Sequence, residues 1–307
     1  MSEDKKLDLA VKAAWLSYVA GHTQDEIARE LGVSRQTAQR LVAQALAAGI
    51  VRVRIDHPLT RCLELAEGLR QRFGLSSCEV TPAAGGLAGV AMTVATLIER
   101  ELLRPDPIIL AIGTGRTLHA AAGQVMRVDC PQHRIVSLTG NIAPDGSTAY
   151  YNVLFSLADK VTARSFPLTV PVVAASREEC EALHRQPGNA RVIGMAREAE
   201  IALVGIGSIG PDAPLLKDGF LSAAEIDALK AQGAVGEIIG RVYDREGRFL
   251  PQDGRVASAE LPQRPGARVI GTALGEDKRL AILGAIRGRM INGLVTDEPT
   301  AAWLLEA

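Results

Sequence analysis

The run Gly113-Thr114-Gly115-Arg116-Thr117 carries the residue types that an anion needs. Its glycines let backbone N–H groups turn toward a guest, and Thr114 and Thr117 add hydroxyl donors beside the Arg116 guanidinium. The run follows an apolar stretch, Ile108 to Ile112, and precedes a helical one. Its amides would therefore crown a helix N-terminus, which favours negative charge. A phosphate is the natural guest; a plain strand-to-helix turn is the alternative. The dinucleotide fingerprint fails, because Leu118 stands where its third glycine belongs, and no GxxxxGK sequence occurs.

Two further strand ends, Leu138-Thr139-Gly140-Asn141 and Gly205-Ile206-Gly207-Ser208-Ile209-Gly210, either place small polar groups beside that loop or are simple turns. Glu237 can accept hydrogen bonds from sugar hydroxyls or face water. Lys278 follows Gly275-Glu276-Asp277 near a helix start, where the helix dipole disfavours a cation. A bound phosphate or sugar acid would supply its partner, as solvent also would. No acid/base set facing a sugar carbon can be assembled from these residues, so no catalytic residue is assigned. The four cysteines and five histidines are scattered without a CxxC pair, so no metal site, disulfide or cofactor is expected.

A second group of side chains suits nucleic acid. Ser34, Arg35, Gln36, Thr37, Gln39 and Arg40 can all hydrogen-bond bases or phosphates. Thr23 with Glu26 makes a capping box that starts one helix, Gly32 ends it, and Ser34 caps the next. Ile27, Ala28 and Leu31 line one face of the first helix; Ala38, Leu41, Val42 and Leu46 line the second. Two helices across a tight turn put the second into the major groove of double-stranded DNA. From Leu31 to Ile55 the chain carries Arg35, Arg40, Arg52 and Arg54 and no Asp or Glu. The rival reading is an αα-hairpin inside a larger helical domain, its arginines on a solvated face.

The elements around these groups suggest two domains. Residues 1–55 hold eight Lys/Arg against six Asp/Glu, and the rest hold 26 against 29, so a +2 head sits on a −3 body. Leu7, Val11, Ala14, Trp15 and Tyr18 mark an amphipathic helix expected to supply the core of the head. Ile50 to Ile55 alternates apolar and basic residues, as a short strand or wing would. Residues 1–56 are thus expected to form the helix-turn-helix domain, and 57–76 a connecting helix on Leu59, Cys62, Leu63, Ala66, Leu69 and Phe73, able to supply a dimer contact. Residues 77–307 alternate apolar runs with helical stretches. The runs are Ile108–Ile112, Ile135–Leu138, Ile201–Ile206, Val235–Val242, Ala267–Leu274 and Gly293–Thr296. Helices are expected at Gly89–Leu103, Thr117–Met126, Tyr151–Ala163, Ser222–Gln232, Asp277–Gly288 and Pro299–Leu305, with a hairpin at Tyr243–Arg248. That alternation predicts an α/β fold, a doubly wound parallel sheet. The polar N-terminus and the lack of an apolar run of about 20 residues predict no signal peptide, no membrane span and a cytoplasmic protein.

With these motifs in this order, the chain resembles the SorC family of sugar-responsive bacterial transcription regulators. The resemblance runs from about Leu9 to Trp303 and is most specific in four stretches: TQDEIARELGVSRQTAQRLVAQALAAGIVRVRI, IGTGRTL, GAVGEIIGRVYDREG and ALGEDKRLAILGAIRGRMINGLVTDEPTA. It implies a C-terminal domain that looks like sugar-phosphate isomerases and glucosamine-phosphate deaminases but serves as a sensor. By that resemblance, Gly113, Thr114, Gly115, Arg116 and Thr117 hold a phosphate, Asn141 and Glu237 contact a sugar or polyol, and Lys278 contacts the same effector. Thr114, Glu237 and the Glu276-Asp277 pair depart from the family's usual aromatic, aspartate and glycine pair. Operator DNA, a phosphorylated sugar or polyol, and a homo-oligomer (dimer or tetramer) are the expected partners. The competing expectations are a sugar-phosphate isomerase- or deaminase-like enzyme carrying a helix-turn-helix, and an adaptor whose helices contact protein.

Overall fold

Short-range signals set the N-terminal helices. The computed structural model describes residues 3–51, 58–143, 146–148, 151–210 and 213–307. The chain forms two compact units, Met1–His57 and Pro58–Ala307. The first holds α1 (Glu3–Tyr18), α2 (Gln24–Leu31) and α3 (Arg35–Ala47). The Glu26 N–H donates to Thr23 Oγ1 and the Thr23 N–H to Glu26 Oε2 at 2.7 Å, the reciprocal bonds of a capping box. Gly32 closes α2 at φ 65°, left-handed backbone that glycine takes without steric cost. Ser34 Oγ accepts the Thr37 N–H and opens α3.

The core of this unit departs from expectation on α1. Leu7, Val11, Trp15 and Tyr18 are exposed, and the buried face is Ala10, Ala13, Ala14 and Leu16. Small side chains let α1 lie close to α2 and α3, and the large apolar stripe is left outside. On α3 the same substitution occurs, with Ala45 buried and Leu46 exposed. The basic alternation ending at Ile55 falls mostly outside the described residues.

The second unit opens with α4 (Pro58–Phe73), which is an integral layer and not a free connector. Leu69 is fully buried, Arg61 pairs with Glu298 at 2.9 Å, and a Cβ on Gly68 would lie 3.1 Å from Leu305 Cδ1. Leu59 and Leu63 of the expected apolar face remain exposed. Then follow β1 (Ser77–Thr81), α5 (Gly86–Leu102), β2 (Ile109–Ile112), α6 (Arg116–Gln124), β3 (Arg134–Ile142), α7 (Val153–Ala158) and β4 (Arg164–Pro171). Next come α8 (Arg177–Arg185), α9 (Pro187–Arg197), β5 (Ile201–Gly205), β6 (Gly207–Ser208), α10 (Pro214–Lys217) and α11 (Ala223–Ala231). The chain ends with β7 (Ala234–Ile238), β8 (Arg241–Asp244), β9 (Arg268–Thr272), α12 (Arg279–Arg287), β10 (Gly293–Asp297) and α13 (Glu298–Glu306).

Seven strands form one parallel sheet in the order β1-β10-β9-β5-β2-β3-β4. Side chains alternate between its faces. Leu110, Ile112, Ile201 and Leu203 pack with α5, α6 and α7 in one core; Ala111, Ala202 and Val204 pack with α9, α12 and α13 in the other. The doubly wound architecture expected from the alternation is therefore present. The run Val235–Val242 is two strands, not one. It reverses at Ile239-Gly240, and β6, β7 and β8 make a separate antiparallel sheet. The expected helix over Tyr151–Ala163 shortens to α7, because Val161 bridges to Val128 ahead of β4.

One buried charge cluster ties α5 to the start of β9. Glu101 is 4% exposed and takes a two-pronged bond from Arg268, 2.9 Å to Oε1 and 2.5 Å to Oε2, with Arg104 at 3.2 Å. Burial pushes the Glu101 carboxyl up, but the two guanidinium groups together hold it below the usual carboxylate range. Removing Arg268 would strip the buried Glu101 charge of its two-pronged partner, so Arg268→Ala is expected to cost about 3–5 kcal/mol, read as a lower urea midpoint. A depressed folded value means stability that is full above the ordinary value near 4.5 and lost as pH falls through the folded value. The gap between wild type and variant should accordingly narrow in acid below that range.

Candidate functional site

The strand order reverses between β2 and β5, and ligands of open α/β sheets bind in the crevice at such a point. A cavity of about 260 Å³ lies there, at the carboxyl ends of β2, β5 and β9. Thr114, Gly115, Arg116, Thr117, Glu237 and Lys278 all line it, so residues far apart in sequence are brought together. Gly113 sits behind the loop, its N–H donating to Leu203 O at 2.8 Å. Asn141 is not a lining residue. The β3–β4 register shifts on both sides of Gly140, which re-aims the strand, and Thr139 faces the cavity instead.

The loop after β2 is shaped by close approach. Thr114 Oγ1 donates to Tyr151 O at 2.8 Å, and Gly115 takes φ 127°. Among the described residues no side chain caps the N-terminus of α6, so the first amides of a nine-residue helix face the loop unclaimed by those side chains. Two glycines of the Gly205–Ser208 segment are needed for the fit. A Cβ at Gly205 would stand 2.6 Å from Thr114 O, and one at Gly207 would stand 2.1 Å from Glu237 Oε1.

Four ionisable groups converge on this cavity. Glu237, on β7, accepts the Gly240 N–H at 2.8 Å; burial pushes its carboxyl up and Lys278 partly opposes that. Lys278 ends the 3-10 turn Glu276–Lys278 and is 8% exposed. Burial pushes its ammonium down, with Asp277 and Glu237 acting the other way. Asp218 is pushed up by burial, against the pull of Arg116. Among the described residues no ion pair joins Arg116 or Lys278 to a carboxylate within 4.0 Å, so both cations are available to an anionic guest. Asp218, Phe220 and Tyr151 also line the cavity and were not anticipated. They come from connecting segments with no local pattern that marks a site. The apolar walls, including Leu87, Val172, Ile206 and Leu215, suit the carbon skeleton of a small ligand.

On the first unit, Arg35, Gln36, Gln39 and Arg40 are exposed along α3. Arg35 lies 3.5 Å from Asp25, and Ser34 Oγ sits 2.8 Å from Thr37 Oγ1, so these three are partly engaged within the unit. Gln36 and Arg40, one helical turn apart, share a face and make no side-chain hydrogen bond among the described residues.

Comparison with known proteins matches both units. The Sugar-bind family model, a sugar-binding domain, matches residues 57–306, and the MarR_2 model of the MarR family matches residues 13–59. The chain is 35% identical over 303 residues to the erythritol catabolism regulatory protein EryD of Brucella abortus, covering 97% of this chain and 96% of that protein. It is 33% identical over 312 residues to the transcriptional regulator LsrR of an Enterobacter species, with 97% and 93% covered. The crystal structure of the full-length sorbitol operon regulator SorC from Klebsiella pneumoniae aligns with a TM-score of 0.73 at 30% identity, covering 99% of this chain and 100% of that one. All three are named as regulators and none as an enzyme.

Proposed function

The chain belongs to the SorC family of bacterial transcription regulators, and from that premise we propose that its cavity is the input of a DNA switch. Residues 1–56 read a double-stranded operator through Ser34 to Arg40. Residues 77–307, with α4 packed against them, bind a phosphorylated sugar or polyol and control a carbohydrate catabolic or transport operon. The observation that carries this reading is the convergence of Arg116, Lys278 and an uncapped helix N-terminus, none paired with a carboxylate among the described residues, on one cavity at the switch point.

In this reading Gly113 to Thr117 cradle the phosphate, Lys278 neutralises it, and Glu237 takes hydroxyls. The protein works in the cytoplasm as a dimer or tetramer, since paired half-sites require at least two reading heads. Effector and operator then alter each other's affinity by one common factor. A thermal-shift screen of sugars and polyols, each free and phosphorylated, tests the proposal. A phosphorylated compound at about 100 times its Kd is expected to stabilise the protein by about 2.7 kcal/mol and to change operator affinity. Equal stabilisation by the free compound would remove the phosphate from the reading, and turnover of a sugar phosphate would promote the enzyme.

A further inference from the structure

The cavity rests on a backbone outlier. Between β7 and β8 the chain reverses in two residues, Ile239 and Gly240, at φ 48° and 80°. Two positive φ values in a two-residue hairpin mark a type I′ turn, which favours Asn-Gly. Gly240 fits it freely. Ile239 does not, because a β-branched residue at positive φ is a genuine outlier held there by its surroundings.

Those surroundings are specific. Ser258 Oγ donates to Ile239 O at 2.6 Å, and Gln252 Nε2 donates to Gly240 O at 2.9 Å. The Gly240 N–H, thus oriented, donates to Glu237 Oε2 at 2.8 Å, and Gly240 itself lines the cavity. The Ile239 side chain is 5% exposed and lies behind the Gly113 loop, where a Cβ on Gly113 would meet Ile239 Cγ2 at 3.7 Å. Asparagine would relax the turn but leave that space without an apolar filler. The sequence therefore retains a strained residue whose backbone serves one wall of the cavity and whose side chain serves another.

We infer that Ile239 is a positioning residue of the ligand site: its strained turn aims the Gly240 N–H at Glu237, and its side chain props the Gly113–Gly115 loop. This rests on the reading of the cavity as a site for a phosphorylated ligand. It differs from a purely structural role because the Ile239 turn acts through Glu237, a coupling that a double-mutant cycle isolates from the prop.

The test combines one measurement without ligand and one with it, on the full chain. In the ligand-free protein, hydrogen exchange at the Gly240 amide is expected to rise about tenfold in both Ile239→Gly and Glu237→Ala, which removes the acceptor. Unchanged exchange in Ile239→Gly overturns the inference whether or not any ligand binds. With inorganic phosphate and alditol phosphates as probes, Ile239→Gly should weaken the best wild-type binder about tenfold, but less than about threefold once Glu237→Ala is present. Equal losses in both backgrounds make Ile239 merely structural and overturn the inference. If Ile239→Gly fails to fold, Ile239→Ala, which keeps a Cβ at positive φ and removes the Cγ2 prop, should weaken the same binder about threefold, and no change overturns it. Wild-type silence toward every phosphorylated probe sinks the cavity reading instead, while the exchange result still judges Ile239.

Discussion

Lys278→Met is expected to weaken the response to a phosphorylated effector by one to two orders of magnitude in concentration while leaving the ligand-free protein slightly more stable. The two halves have one cause. Lys278 is 8% exposed, and within 4.0 Å of its ammonium no described carboxylate stands to offset the lost hydration. Burial holds its ammonium below the ordinary lysine value. A lysine so depressed penalises the fold at every pH beneath its folded value, and the penalty fades as pH rises between the folded and ordinary values. Methionine fills similar volume without the charge, so a gain of about 0.5–2 kcal/mol is expected at neutral pH, shrinking in alkali. With effector the sign reverses. A charge-assisted hydrogen bond to phosphate is worth about 1.5–3 kcal/mol, so affinity should fall roughly 10- to 150-fold. Calorimetric titration beside thermal melts reads both effects, and an unchanged effector affinity would place the phosphate elsewhere.

The parts of this molecule legible in sequence are those set by neighbours in the chain. Thr23, Glu26, Gly32 and Ser34 announce α2 and α3 because capping bonds span three residues. The strand-to-helix loop Gly113 to Thr117 was visible for the same reason, its neighbours on both sides being regular. What stayed hidden depends on partners far away. The face of α1 was misread, Ala14 apart, because apolar size suggested Trp15 and Tyr18, while close helix packing selected Ala10 and Ala13. Val235 to Val242 read as one strand since only pairing with β6 and β8 reveals the reversal at Gly240. Gly205 and Gly207 looked like turn residues. Their use is room, for Thr114 O and for the Glu237 carboxyl, and that room exists only once β2, β5 and β7 are assembled. Asp218 has no local signal at all; the fold alone brings it to the cavity.

Arg40→Ala should cost about 1–3 kcal/mol in operator affinity if the guanidinium reads a guanine, with the loss concentrated at one base position. The choice of Arg40 follows from what its neighbours already do. Ser34 is committed to the cap of α3, so Ser34→Ala should lower the stability of the first unit by about 1 kcal/mol before it alters recognition. Arg35 shares its charge with Asp25 across 3.5 Å on the exposed surface, a pairing that screens it and suits a phosphate contact. Gln36 and Arg40 stand one turn apart on the outward face with no side-chain bond among the described residues, free to meet base edges in a groove. Operator-binding isotherms at two salt concentrations separate the roles. A base reader loses discrimination between operator variants and keeps the salt slope, whereas a phosphate contact weakens all sequences alike and lowers the slope by about one. If Arg40→Ala binds every variant as the wild type does, α3 does not enter the groove by this face.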